Sequence, residues 1–257
     1  MDPTLDWQTD KLAARLGALL PGLAVEVLGE TGSTNSLLAE RARSEARPVL
    51  LVAEHQSGGR GRMGRSWVSA PGSSLTFSLG LPLAPADWSG LSLAVGCALA
   101  DALEPAGTRL QLKWPNDLWL DGRKLGGILI ESQPLGPERY LIVGVGLNIR
   151  VISTADASQF GSGFAALNEL EPGIEAPSAL ARVAPALLGA VLDFGSERFT
   201  PWQQRFERRD LTRGRKVTAG ELQGVARGVS AAGELMLQTD AGMRSIASGE
   251  VSLRMES

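Results

Sequence analysis

Cysteine and histidine occur once each in the 257 residues, as Cys97 and His55. A single thiol cannot close an internal disulfide, and the apolar run around Cys97 predicts a small buried hydrophobe. One histidine with one cysteine excludes a zinc site of the usual type, and leaves a Ser-His-Asp triad only if His55 serves it. Excess positive charge is missing too: the net charge is −3 and the isoelectric point near 5.4, which argues against a general nucleic-acid binder. The longest apolar stretch, Leu91 to Leu103, carries Asp101 and falls short of the roughly 20 residues a bilayer span needs. The start, Met1-Asp2-Pro3-Thr4-Leu5-Asp6, lacks the charged-then-apolar layout of a signal peptide. These absences predict a cytoplasmic protein without membrane association.

What is present suits an ordinary globular chain, 44% apolar and 21% charged. A chain of this length buries roughly 70 to 75 per cent of its unfolded surface and forms one or two domains. Leucines at 12, 16, 19 and 20 predict a helix over 10–20 closed by Pro21-Gly22, followed by a strand over 24–28. Strands are expected at 75–79 and 140–145, and helices at 91–103, 178–194 and 202–208. From Leu211 the texture changes to short alternating strands with turns at Ala219-Gly220, Ala232-Gly233 and Ala241-Gly242, which predicts a small β-barrel. The expected architecture is α+β: a mixed sheet flanked by helices over 1–210, then the barrel over 211–257.

Charge of one sign collects in a single place. From Gly58 to Arg65 there are four glycines, the arginines Arg60, Arg62 and Arg65, and no acid. Glycine lets backbone approach a ligand closely, and arginine offers a planar five-donor fork to phosphate or carboxylate, so the loop is suited to wrapping an anion. Gly59, Gly61 and Gly64 also satisfy G-x-G-x-x-G after an apolar run. A dinucleotide turn must open a helix, however, and Ser66 to Ser74 is a helix-breaking run. The Walker pattern fails as well, since no Gly-Lys-Ser/Thr follows these glycines.

Two further stretches are dense in polar groups. Ser33, Thr34 and Asn35 stand just before the helical pattern of Leu37, Leu38 and Ala42, where a hydroxyl caps the helix or offers donors to a polar ligand. Lys113-Trp114-Pro115-Asn116-Asp117 leads into an apolar run, then Asp121-Gly122, then Arg123-Lys124-Leu125-Gly126-Gly127. Asp-Gly between apolar runs signals a hairpin, which puts Lys124 at the start of the returning strand. Gly126 and Gly127 within that strand point to close approach by a ligand or another backbone. Residues 150–164 form a polar loop long enough to suggest function, and it ends on Phe164.

In this order, Ser33-Thr34-Asn35, Gln56 with the Gly/Arg loop, Lys113 to Asp117, Lys124 to Gly127 and Gly144 to Asn148 resemble the biotin protein ligases. The resemblance runs from about residue 30 to the C-terminus, where Gly249 to Leu253 would close an SH3-like barrel. It implies an enzyme that activates biotin with ATP to biotinyl-5′-adenylate, then passes biotin to one lysine of a biotin carboxyl carrier protein. It implies that Ser33, Thr34, Asn35, Gln56, Gly59, Arg60, Gly61, Arg62, Lys124 and Gly127 bind biotin. Arg62, Arg65, Trp67, Lys113, Asn116, Asn148 and Phe164 would face ATP. Lys124, Arg62 and Asp117 would be catalytic, with Asp117 also placed to hold Mg²⁺.

Only 32 residues precede Ser33. That is too few for the winged helix-turn-helix some members carry, so the resemblance implies the type without a DNA-binding domain. A lipoate or octanoate ligase or transferase of the same superfamily is the alternative enzyme, and a nucleic-acid-binding module or repressor the alternative from another class. Homodimer formation is left open. The arginine and lysine cluster at 205, 208, 209, 213, 215 and 216 suits either a docked acidic carrier or a solvated helix face.

Overall fold

The computed structural model describes residues 3–83, 87–135, 138–152, 163–247 and 253–255. Seven strands make the main sheet: β1 (Ala24–Thr31), β2 (Val49–Gln56), β3 (Ser74–Pro82), β4 (Leu110–Lys113), β5 (Asp117–Leu120), β6 (Arg123–Leu135) and β7 (Glu138–Asn148). Their order is β1-β2-β3-β7-β6-β5-β4. β1 and β2 are parallel and all other neighbours antiparallel. Parallel neighbours need a crossover, which α2 (Thr34–Arg41) supplies. On the opposite face lie α1 (Thr9–Gly17), α3 (Leu91–Leu103) and α4 (Ala176–Glu197). By length and composition α4 is apolar enough to cross a membrane, but Leu180, Val183, Leu187, Val191 and Phe194 are buried in the core, where α4 packs on α3.

The two-residue alternation of β7 shows how the sheet makes room for a site. Leu141, Val143, Val145 and Leu147 enter the main core, while Tyr140 and Ile142 join Leu38, Ala42, Val49 and Leu51 in a smaller cluster under α2. Continuing along the α2 side, the next positions are Gly144, Gly146 and Asn148. A Cβ at Gly144 would stand 2.3 Å from Asn35 Oδ1, and one at Gly146 would stand 2.5 Å from the Trp67 ring. These glycines therefore let Asn35 and Trp67 lie directly on the sheet just beyond the N-terminus of α2, leaving the strand itself without side chains there.

The C-terminal strands β8 (Lys216–Ala219), β9 (Leu222–Val229), β10 (Leu235–Thr239), β11 (Gly242–Ile246) and β12 (Leu253–Met255) form an antiparallel sheet in the order β11-β10-β9-β8-β12. Among the described residues this sheet is open, with β11 and β12 as unpaired edges, and no closed barrel is found. Residues 249–252, expected to help close it, lie outside the described residues. A unit this small cannot bury a full core of its own. Val217, Leu235 and Leu237 accordingly share one cluster with Val95 and Leu112. The chain at the expected boundary is an extra edge partner of β4: Leu112 N–H donates to Arg209 O (2.7 Å) and Leu211 N–H to Leu112 O (3.0 Å).

Half of the basic cluster is paired here. Arg209 is 4% exposed and donates to Asp101 (2.9 Å) and to the carbonyls of Glu104 and Leu110. Arg205 pairs with Asp101 and Arg213 with Glu207. Arg208, Arg215 and Lys216 are exposed. The predicted helices and strands otherwise appear within a few residues of their expected ends.

Candidate active site

A cavity of about 510 Å³ opens on the bare patch. Every residue predicted for the site lines it except Gly59. Gly59 sits where a Cβ would stand 2.4 Å from Trp67 O, so a glycine there lets the loop fold back on itself. Trp67 N–H donates to Gly59 O (2.9 Å), Gly61 N–H to Arg65 O (2.7 Å), and Arg60 bridges Ser66. The Gly/Arg stretch is thus a small antiparallel loop with Met63 (φ 56°) and Gly64 (φ 71°) at its tip. No helix opens after it, as the sequence predicts.

One end of the cavity is neutral and closely hydrogen-bonded. Ser33 caps α2, its hydroxyl accepting from Ser36 N–H at 3.4 Å. Thr34 donates from its backbone N–H (2.7 Å) and its hydroxyl (3.1 Å) to Gln56 Oε1. Ser78 Oγ lies 2.6 Å from both the Thr34 hydroxyl and Asn35 Oδ1. Asn35 Nδ2 donates to Leu129 O (3.3 Å) and Glu131 (2.8 Å), so its amide braces the wall instead of reaching outward. Arg60 is also tied here, its guanidinium paired with Glu131 at 2.9 Å. Arg60, predicted to bind biotin, lines the cavity and latches the loop to β6.

The other end is cationic. Arg62, Arg65, Lys113 and Lys124 line it, and among the described lining residues Asp117 is the one carboxylate. β4 and β5 set Lys113 opposite Asp117, and the turn between them carries Asn116. Asn116 Nδ2 donates to Ile128 O (2.8 Å) while its Oδ1 accepts from Arg62 Nη1 (3.3 Å), joining turn, β6 and loop. Lys124 Nζ lies 2.8 Å from Asp117 Oδ1. Lys113 Nζ sits 4.9 Å above the Trp119 ring. Burial pushes the Lys113 ammonium below its ordinary range; Asp117 opposes this, and Lys124 and Arg65 add to it. Burial likewise lowers Arg62, with Asp117 opposing and Arg65 adding.

Three alternate positions of β7 connect the ends. Gly144 lies under Asn35, Gly146 under Trp67, and Asn148 Nδ2 donates to Ala165 O at 3.0 Å. That ledge is roughly 13 Å of strand. Phe164 lines the cationic end half-buried, its backbone bridged to Lys124. Trp67 Nε1 is buried with no hydrogen-bond partner among the described residues. A buried N–H donor at a cavity wall is ordinarily completed by an acceptor on a ligand or an ordered water. Gly126 is approached by backbone, since a Cβ would stand 2.5 Å from Gly146 O. At Gly127 a Cβ would touch the Asp117–Lys124 pair only at 3.5 and 3.7 Å, leaving open floor beside it. His55 does not line the cavity; it faces Glu30 at 3.7 Å.

Residues 29–148 match the biotin/lipoate A/B protein ligase family, and residues 213–254 match the biotin protein ligase C-terminal domain. The bifunctional ligase/repressor BirA of Escherichia coli is 34% identical over 91% of this chain and 75% of its own length. The chain belongs to the biotin protein ligase family. Another relative, the biotin–[acetyl-CoA-carboxylase] ligase of Paracoccus denitrificans, is 31% identical over 88% of this chain and 98% of its own. The solved biotin protein ligase of Aquifex aeolicus in complex with biotin and ATP is 30% identical, with a TM-score of 0.77 over 92% of this chain and 100% of that one.

For a ligase of this family, the sequence reading overlooked Ser78 and Glu131, which fasten Thr34, Asn35 and Arg60. Ser78 had a signal. Thr76 and Ser78 alternate with Leu75, Phe77 and Leu79 in a strand buried on both faces, and a polar stripe there needs partners. Glu131 had none, because its partners come from 96 and 71 residues away.

Proposed function

We propose that this chain activates biotin with ATP and transfers it to a lysine of a biotin carboxyl carrier protein. The observation that carries this is the pairing, along one ledge, of a neutral hydrogen-bonding end with an end holding four cations against one carboxylate. Biotin's ureido head is neutral and suits Ser33, Thr34 and Gln56. Its carboxylate would then extend toward Lys124, with ATP against Arg62, Arg65, Lys113, Trp67 and Phe164.

Two half-reactions follow. A carboxylate oxygen of biotin attacks the α-phosphorus of ATP, and pyrophosphate leaves. Bringing these anions to 4 Å costs about 4 kcal/mol at an effective dielectric of 20, which the convergent cations offset. Lys124 stands where both charges meet and gives up Asp117 for the phosphate. The neutral amine of the acceptor lysine then attacks the acyl carbon, AMP leaves with the bonding electrons, and the proton shed by the nitrogen passes to solvent. Asp117, freed from Lys124, orients the incoming amine. Asp117, the one carboxylate among the described lining residues, would help hold an Mg²⁺ that bridges the phosphates of ATP.

In this reading the C-terminal sheet closes as an SH3-like barrel over 211–257, a separate unit by topology that borders the carrier's approach. The setting is the cytoplasm, where ATP is supplied. The test is pyrophosphate exchange with biotin, lipoate and octanoate in parallel. Exchange dependent on biotin alone is the expected result; exchange with lipoate or octanoate instead would replace the substrate.

A further inference from the structure

Arg123 immediately precedes Lys124 on β6 but does not line the cavity. Successive strand residues face opposite sides, so its guanidinium lies behind the lysine. There it meets the chain that leaves the 150–164 loop. Arg123 Nη1 donates to Phe164 O (3.1 Å) and to Glu169 Oε1 (3.3 Å), and Nη2 pairs with Glu169 Oε2. Glu169 Oε1 also accepts from Ala166 N–H (3.0 Å). Arg109 donates to Glu169 O (3.2 Å) and forks onto Asp121, the first residue of the hairpin turn. Within this frame Ala165 N–H donates to Lys124 O at 2.9 Å.

We propose that Arg123 and Glu169 are positioning residues that hold Phe164 to Ala166 against the Lys124 strand, and so set the nucleotide end of the cavity. This rests on the function proposed above. The magnitudes favour local positioning over global stability. The two side chains are 35% and 29% exposed, and ion pairs at such exposure contribute little to folding. The same pair nevertheless satisfies a carbonyl and an amide of a segment that also meets the sheet through Ala165 and Asn148. The hydrogen bond to Arg123 holds Glu169 below the ordinary carboxylate range, so the pair stays charged at neutral pH.

The experiment compares Arg123→Ala, Arg123→Lys, Glu169→Ala and Glu169→Gln. Arg123→Ala and Glu169→Ala should each raise the KM for ATP about tenfold, the effect of losing one charge-assisted anchor. Biotin affinity, measured without ATP, should stay within about twofold, since the neutral end lies a ledge-length away. Arg123→Lys and Glu169→Gln keep part of the contact and should recover much of the loss. Amide exchange in Arg123→Ala should quicken at 164–166 and not at Thr34 or Gln56. An unchanged KM for ATP in active variants overturns the proposal, and so does an equal loss of ATP and biotin binding, which would make the pair a general brace. Should Arg123→Ala fail to fold, Glu169→Ala decides by the same two readouts, the KM for ATP and amide exchange at 164–166. Absence of biotin-dependent exchange in the wild type would instead sink the functional reading, so the two failures are separable.

Discussion

The two ends of the cavity are built by opposite strategies. At the neutral end the polar groups already satisfy one another: Thr34 with Gln56, Ser78 with Thr34 and Asn35, Asn35 with Glu131. At the cationic end burial lowers Lys113 and Arg62, and among the described lining residues Asp117 is the one carboxylate facing Arg62, Arg65, Lys113 and Lys124. A satisfied network keeps its shape before ligand arrives and selects by geometry. A cluster of cations lowered by burial pays in the empty state and is relieved when an anion binds, so it selects by charge. In the proposed function, one end would recognise biotin and the other perform the chemistry.

The sharpest break of that comparison is Lys124→Ala. Loss of one donor aimed at developing charge costs roughly 2.7 to 4 kcal/mol, so adenylate formation should slow by about 10²-fold or more. Biotin binding without ATP should barely change. Rapid-quench measurement of adenylate checks the first and calorimetry the second; an unaltered rate would remove Lys124 from the chemistry.

The ledge glycines separate the ends more finely. Gly144→Ala places a Cβ 2.3 Å from Asn35 Oδ1, and Gly146→Ala places one 2.5 Å from the Trp67 ring. Overpacking of this kind typically costs about 1 to 3 kcal/mol, up to roughly a hundredfold in affinity. Gly144→Ala should raise the KM for biotin and Gly146→Ala chiefly that for ATP. Identical profiles for the two variants would mean the cavity is a single undivided space. Thr34→Ala is gentler, removing one hydroxyl between Gln56 and Ser78. It should weaken biotin by about tenfold and leave ATP alone.

How much of this was readable beforehand depended on whether the signal was local. The Arg-rich loop, the Asp-Gly hairpin and Lys124 announce themselves within a few residues, because turn chemistry and charge density are properties of short segments. Gly126 carried its meaning too, as the strand glycine that another backbone approaches. The role of Arg60 did not, since its partner Glu131 is 71 residues on. The inward turn of Arg209 was hidden likewise, because nothing in a basic run says that Asp101 waits on another helix. The edge between the two sheets was drawn as a boundary from composition, and only packing shows one core crossing it.

The smallest effect concerns stability, and it tests the cost assigned to the cationic end. Burial holds the Lys113 pKa below its unfolded value of 10.5, so the folded chain binds fewer protons than the unfolded chain between those two values. The lowered pKa of a base is a penalty, present in full below the folded pKa and relieved as pH rises toward 10.5. Lys113→Met keeps the packing on Trp119 and removes the charge. Its melting temperature at pH 7 should be no lower than wild type, and the wild-type gain between neutral and alkaline pH should be smaller in the variant, while ATP affinity falls. Thermal unfolding across that pH range checks this. A variant less stable than wild type at pH 7 would mean that the Asp117 and Trp119 contacts outweigh burial, and that the cationic end is as settled without ligand as the neutral one.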